Sequence, residues 1–308
     1  MPLPPEFHEV ARLVNNWGRW GPEDERGTLN LVTADVVRRA AACVRTGKHF
    51  TLALPLSAEG PQMGFIPGRL NPQRTMLAIN TPLTDDPDAF CWSDDLVVMG
   101  LQAATHWDAL AHVSYAGRLY NGHPADSISV AGAARCGIDK VGALVSRGVL
   151  LDVARTKGAD RLEPGYAITP EDLDAAEELA RLRVQAGDIV LVRTGHIAVF
   201  RRGDRKAYAT PSPGLSMATA PWFRDRDVAA VATDNLTFEV FPGQPSELVF
   251  PVHLLHLVEM GLLQGQNFDL EALAQDCADD GVYEFLLEAS PDPFTRGTGG
   301  PVVPVAVK

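Results

Sequence analysis

Apolar and polar positions along this chain repeat with two periods, one near that of a helix and one near that of a strand, and the switches between them predict its elements. The first helical stretch carries Val36, Val37, Ala40, Ala41 and Val44 on one stripe, with Thr33 placed to cap its start and Gly47 past its end. Apolar or alternating runs at His49–Pro55, Thr75–Asn80 and Leu96–Gln102 read as strands. Val149–Val153 is a short buried strand. A helix follows from Thr169-Pro170-Glu171-Asp172, where Thr caps, Pro takes the first helical position and the acids favour the positive helix end. Gly187-Asp188 then introduces the strand Ile189–Arg193. Strand, helix and strand in that order make a parallel pair. Val228–Thr233 and Phe285–Ala289 add strands, with helices near Pro251–Met260 and Leu270–Asp276, so the class is α/β. No internal repeat, low-complexity linker or heptad run divides the chain.

Composition adds limits to this picture. With 308 residues, 46% of them hydrophobic, the chain can bury a large core as one domain. A net charge of -12 and a pI near 5.1 argue against a nucleic-acid partner, which needs a clustered basic face. Met1–Val14 lacks the basic-then-apolar layout of a secretory signal, and no run reaches the roughly eighteen apolar residues that span a bilayer. A cytoplasmic protein without a membrane partner is expected. Cys43, Cys91, Cys136 and Cys277 are far apart, with no C-x-x-C pair, and read as reduced thiols.

The chemistry concentrates at Thr105-His106-Trp107-Asp108-Ala109-Leu110-Ala111-His112. If the strand from Leu96 stays extended, alternation puts Gln102, His106 and Asp108 on one face, where imidazole and carboxylate suit zinc, manganese or iron. His112 reaches the same mouth if the chain turns helical after Asp108. The small residues Ala103, Ala104, Ala109 and Ala111 leave room for an ion and a ligand, although a histidine and an aspartate in a loop can equally bond each other or solvent. Pro251 and Gly261 frame a second candidate segment, with His253 and His256 at i, i+3, each alternatively a core histidine. His8, His49 and His123 read as solvated. Arg193 ends a strand, where it could neutralise a substrate oxyanion or pair with an acid; His196 and Asp234-Asn235 carry the same ambiguity.

These residues resemble a family. Thr-His-Trp-Asp-Ala-Leu-Ala-His looks like the signature of the putative cyclase family of metal-dependent hydrolases, which includes kynurenine formamidase and isatin hydrolase. Asn16-Trp17-Gly18-Arg19-Trp20-Gly21, Tyr120-Asn121-Gly122, Arg147–Asp152, Leu191–Gly195 and the closing Thr298–Val307 extend the likeness to its longer members. The resemblance implies a mixed-sheet α/β fold of the swivelling β/β/α type over 33–308, assembled as a homodimer or homotetramer. Residues 1–32 are then an extended arm packing on the core or on a neighbouring subunit, with Trp17 and Trp20 lining a neighbour's site. It also implies metal ligands at His106, Asp108 and His253, and proton transfer by His112. The family pattern His-x-Gly-Thr-His-x-Asp-x-Pro-x-His departs here at Gln102, Ala104 and Leu110, and Gln266 stands where a glutamate is expected. Each glutamine replaces a strong ligand by a neutral amide, which points away from a two-metal centre.

The expected activity is therefore hydrolysis of a small amide, imide or lactone. One Mn²⁺ or Zn²⁺ per subunit would be held by His106, Asp108 and Gln102 or His253, with His112 as catalytic proton carrier. Trp107, Trp17, Trp20, Arg193 and Gln266 are expected to bind the small-molecule substrate. Two rivals stand beside this reading. One is a metal-free ligand-binding or catalytically divergent member of the same fold. The other is a metal-free enzyme using His112 and Asp108 as a general-base pair with Gln102 as oxyanion donor.

Overall fold

The strands that position the site are β1 (His49–Thr51), β2 (Gln73–Pro82), β3 (Cys91–Val98), β4 (His106–Asp108), β5 (Val145–Asp152), β6 (Ile189–Arg193), β7 (Ala230–Thr233), β8 (Leu263–Gln266), β9 (Glu284–Glu288), β10 (Gly299–Pro301) and β11 (Val305–Val307). They belong to a computed structural model that describes residues 3–243 and 248–308. Nine of them form one mixed sheet in the order β1-β11-β9-β5-β6-β7-β8-β4-β10. Its centre, β5-β6-β7-β8, is parallel, while β4, β9, β10 and β11 pair antiparallel. The parallel pair expected from 149–193 is β5 with β6. The architecture is a single mixed α/β domain built on a curled sheet.

Two cores flank that sheet because side chains of the central strands point alternately to its two faces. Leu150, Ile189, Leu191, Ala230 and Ala232 feed one core, together with Phe268 and Leu273. Val149, Leu151, Val190, Val192 and Val231 feed the other. Among the helices are α1 (Pro5–Val14), α2 (Ala34–Ala41), α3 (Pro170–Ala180), α4 (Pro251–His253, continuing as a π-helix over Leu254–Met260) and α5 (Glu271–Asp280). Thr33 and Thr169 cap α2 and α3 as expected, Thr169 in a capping box with Asp172.

Two expectations need correction. Residues 5–14, expected to be extended, are helical, because Phe7, Ala11 and Val14 at helical spacing bury against the second core. The arm then runs over α4 of the same chain: Asn16 Nδ2 donates to Met260 O at 3.0 Å and Trp17 Nε1 to Val258 O at 2.7 Å. The run Leu96–Gln102 is not one strand either. β3 ends at Val98, and the chain turns through Gly100–Ala103, where Gly100 N donates to Leu70 O and Ala103 N to Gly100 O, each at 3.0 Å.

Candidate metal and proton-transfer site

β4 is three residues long, and its alternation sorts the signature. Trp107 points into the first core, edge-on to Phe268, and its Nε1 donates to Ala289 O at 2.8 Å. Trp107 was expected to bind substrate; being between two residues that face the site, it must face away, and it is fully buried. His106 and Asp108 point to the second face. There they meet Gln266 and Gln264, their partners across the antiparallel pairing with β8. The site thus sits where the parallel strands end at their carboxyl termini, as ligand sites in open α/β sheets do.

Three imidazoles surround Asp108. His106 Nε2 and His112 Nε2 lie 3.4 and 3.6 Å from Asp108 Oδ1, and His253 Nε2 lies 3.9 Å from Oδ2. His106 donates from Nδ1 to Ala104 O at 2.7 Å, which leaves the Nε2 lone pair facing the carboxylate. His253 donates from Nδ1 to Glu239 Oε1 at 2.5 Å, so its Nε2 also faces inward with a lone pair. Glu239 further accepts the backbone N–H groups of Val252 and His253, both at 2.9 Å, and so fixes the first turn of α4. His112 is brought in by a turn rather than a helix, its N–H donating to Ala109 O at 2.8 Å. Its side chain keeps 20% of its surface exposed, whereas those of His106 and Asp108 keep 1% and none.

The amides divide the work at Asp108. Gln266 Nε2 donates to Oδ2 at 2.7 Å and lies 3.3 Å from His253 Nε2; Gln264 Nε2 is 3.4 Å from the same oxygen. One amide NH₂ group thus satisfies the two atoms, Asp108 Oδ2 and His253 Nε2, that a second cation would need. Asp108 Oδ1 and His106 Nε2 remain, both buried and neither hydrogen-bonded among the described residues. Two buried electron-pair donors facing each other are what a divalent ion satisfies, and imidazole with carboxylate suits Mn²⁺ or Zn²⁺. Among the described residues no group of three His, Cys, Asp or Glu is placed to hold one ion together. His106 and Asp108 are thus the pair that could offer donors to one ion, while the amide of Gln266 occupies the atoms that a second ion would need.

Burial sets the protonation states. It opposes ionisation of Asp108, but the surrounding imidazoles of His112, His106 and His253 outweigh it and hold the carboxyl below its usual range. For His112 burial dominates, and despite Asp108 it pushes the imidazole down to about 4. At neutral pH a carboxylate and a neutral imidazole stand side by side.

Other expected residues fall elsewhere. Gln102 arrives from the turn after β3, not along a strand, and its Nε2 lies 3.4 Å from both His112 Nδ1 and Thr298 Oγ1. It meets His112, not His106 or Asp108. Gly299 permits this approach, since a Cβ there would stand 2.5 Å from Gln102 Nε2. Arg193 is consumed by Glu271 and Asp152 at 2.8 and 2.9 Å, at the edge of a separate cavity of about 650 Å³. An arginine so neutralised has no charge left for a substrate oxyanion. Trp17 packs on Gly122 and Trp20 lies under Arg19, so in this chain both belong to the arm. His256 is buried against Phe223 and Phe238, and His196 Nε2 meets Tyr208 O at 3.0 Å. His123 is buried rather than solvated, beside Asp24 O. Glu239, Gln264 and Thr298 were missed; of these only Gln264 carried a signal, its alternation with Gln266.

The model of the family described as Putative cyclase matches residues 34–240. A crystal structure described as a novel cyclase is 37% identical, with a TM-score of 0.88, covering 96% of this chain and 100% of its own. This chain belongs to the putative cyclase family. Farther cyclase-like folds include isatin hydrolase A from Labrenzia aggregata, bound to benzyl benzoate, at 20% identity and TM-score 0.62, covering 87% of this chain and 94% of its own. A structure described as a predicted metal-dependent hydrolase from Bacillus stearothermophilus follows at 17% and 0.52, covering 85% and 98%. A search of curated proteins finds no match. Within this cyclase fold no helix among the described residues is long and apolar enough to cross a membrane.

Proposed function

We propose that this cyclase-family chain is a hydrolase that opens a small amide, imide or lactone. One observation carries the reading: His106 Nε2 and Asp108 Oδ1, buried and unpartnered, face each other with His112 Nε2 3.6 Å from the same oxygen. His106 and Asp108 would hold one Mn²⁺ or Zn²⁺ per subunit, with His253 oriented toward the site by Glu239. Such an ion supplies Lewis acidity and lowers the pKa of a water. His112, neutral and partly open, takes the proton from the attacking water and returns it to the leaving nitrogen or oxygen. Gln102 holds the far side of that ring. The hydrolase and metal-dependent descriptions of the structural neighbours support the same assignment.

The test is His112→Ala. Turnover should fall by roughly 10²–10⁴-fold, the usual weight of general acid–base catalysis, with metal content unchanged. Loss of metal in that variant would contradict the role given to His112. The metal-free ligand-binding reading is favoured by the want of a three-residue ligand group among the described residues. It is separated by melting protein purified without chelator in rising Mn²⁺ or Zn²⁺. At a hundredfold excess over Kd, a native-state ion stabilises by about 2.7 kcal/mol; no shift and no bound ion would favour that second reading.

We also propose that the chain works as a homodimer or homotetramer in the cytoplasm, with no nucleic acid or membrane as partner. The exposed apolar surface of the β2–β3 hairpin supports assembly, and the arm carrying Trp17 and Trp20 would then lie near a neighbour's site.

A further inference from the structure

The loop between β1 and β2 is tied down over the site. Gln62 Nε2 donates to the carbonyls of Gln102 and Ala103 at 3.2 and 3.1 Å, while Asn71 exchanges two hydrogen bonds with the Gln62 backbone, each 2.9 Å. Leu70 O accepts from Gly100 N, and a Cβ on Gly100 would stand 3.0 Å from Arg69 Cγ. These contacts hold Arg69 against the turn that delivers Gln102 to His112. Its side chain is half-buried, and among the described residues its guanidinium has neither a hydrogen bond nor an ion pair.

Three of the chain's more deeply shielded arginines differ in this. Arg147, Arg193 and Arg226 each face two carboxylates. The carboxylate whose charge reaches Arg69 is Asp108, already engaged by Gln266, Gln264 and the histidines. Arg69 also bears on His112, helping to keep that imidazole neutral. Burial pushes the guanidinium down from its usual value, the direction expected for a cation desolvated without a counter-ion. A desolvated guanidinium gains most from a partner that brings its own negative charge and accepts two N–H bonds side by side.

We propose that Arg69 binds a carboxylate of the substrate, so that the acyl compound this site opens is itself an acid, anchored beside His112. The inference rests on the hydrolase reading for the word substrate, but not for the binding it describes. Benzoate and its neutral isostere benzamide are therefore the probes, titrated by calorimetry into wild type, Arg69→Gln and Arg69→Lys. Wild type should bind benzoate at least about tenfold tighter than benzamide. Arg69→Gln should erase that preference while leaving benzamide affinity unchanged, which also shows that the variant is folded, and Arg69→Lys should restore part of it. Equal binding of the two probes by wild type, or a benzoate preference that survives in Arg69→Gln, overturns the proposal. If the preference follows Arg69 but no amide or lactone is hydrolysed, the hydrolase reading fails alone; hydrolysis without charge preference sinks only the role of Arg69.

Discussion

At Asp108 the two carboxylate oxygens meet different company: Oδ2 takes the amide of Gln266 at 2.7 Å, and Oδ1 faces only imidazole nitrogens. Gln266→Glu exchanges that donor for a second carboxylate at the same place. Without an ion the two acids repel in a buried site, so the variant should melt below wild type. With Mn²⁺ present, the introduced carboxylate, Asp108 Oδ2 and His253 would form the grip that wild type lacks. The rise in melting temperature on adding Mn²⁺ should therefore be larger in Gln266→Glu than in wild type; an equal or smaller rise would show that Gln266 does not stand where a second ion could. Much of this site was legible because His106, Asp108 and His112 are neighbours in sequence and their chemistry is local. Trp107 was misjudged from the same stretch, because substrate binding was assigned by residue type while strand parity turned it into the core. Glu239 and Arg69 were illegible for a different reason. They reach the site through long-range folding, Glu239 by capping the start of α4 and Arg69 through a loop clamped by Gln62 and Asn71.

Elements were readable where a cap or a period marks them, as Thr169 and Pro170 mark α3, and less so where the backbone departs from regularity. α4 shows the limit. Its proline and glycine frame a helix in the sequence, yet from Leu254 to Met260 it widens to a π-helix. That segment buries His256 completely, and among the described residues neither ring nitrogen has a hydrogen-bond partner. Burial first, and the nearby His253 second, push its pKa from 6.5 down to about 3. The folded chain thus keeps His256 neutral while the unfolded chain takes up a proton below about pH 6.5. Stability must fall as pH drops through that window toward 3, by about 2 kcal/mol at pH 5 for this one residue. His196, lowered to about 4 by burial, adds to the fall. Asp234, raised to about 6 by burial, opposes it, because the folded state holds its proton more tightly. In urea unfolding at pH 7.5 and 5.0, His256→Phe should lose less stability than wild type by about that 2 kcal/mol. Equal losses in the two proteins would mean that His256 is not buried neutral.

On the scale of the whole molecule, the surface is uneven in a way that one chain does not explain. Of the 21 large apolar side chains exposed among the described residues, 14 lie between residues 56 and 98. Most sit on or beside the β2–β3 hairpin, which among the described residues pairs only with itself and carries exposed apolar groups such as Leu77, Ile79, Leu96 and Val98. A two-stranded ribbon of this kind is marginal in water unless something packs on it, and its exposed apolar side chains are what the proposed subunit contact would cover. The strand-like alternation of 75–80 was visible in the sequence, but alternation alone cannot say whether the covering layer comes from the same chain or another. The ribbon and the loop bearing Arg69 join the nine-stranded sheet through the turn that delivers Gln102, so an assembly through this surface would steady the mouth of the site as well. Ile79 is 68% exposed, and Ile79→Lys should leave the monomer fold intact. By sedimentation equilibrium, wild type should exceed the 33.2 kDa of one chain and Ile79→Lys should approach it. Circular dichroism of the variant should stay native. If wild type itself sediments as a single chain at micromolar concentration, or the charged variant assembles as wild type does, the hairpin is not the subunit contact. If assembly also orders the Arg69 loop, Ile79→Lys should weaken benzoate binding along with self-association.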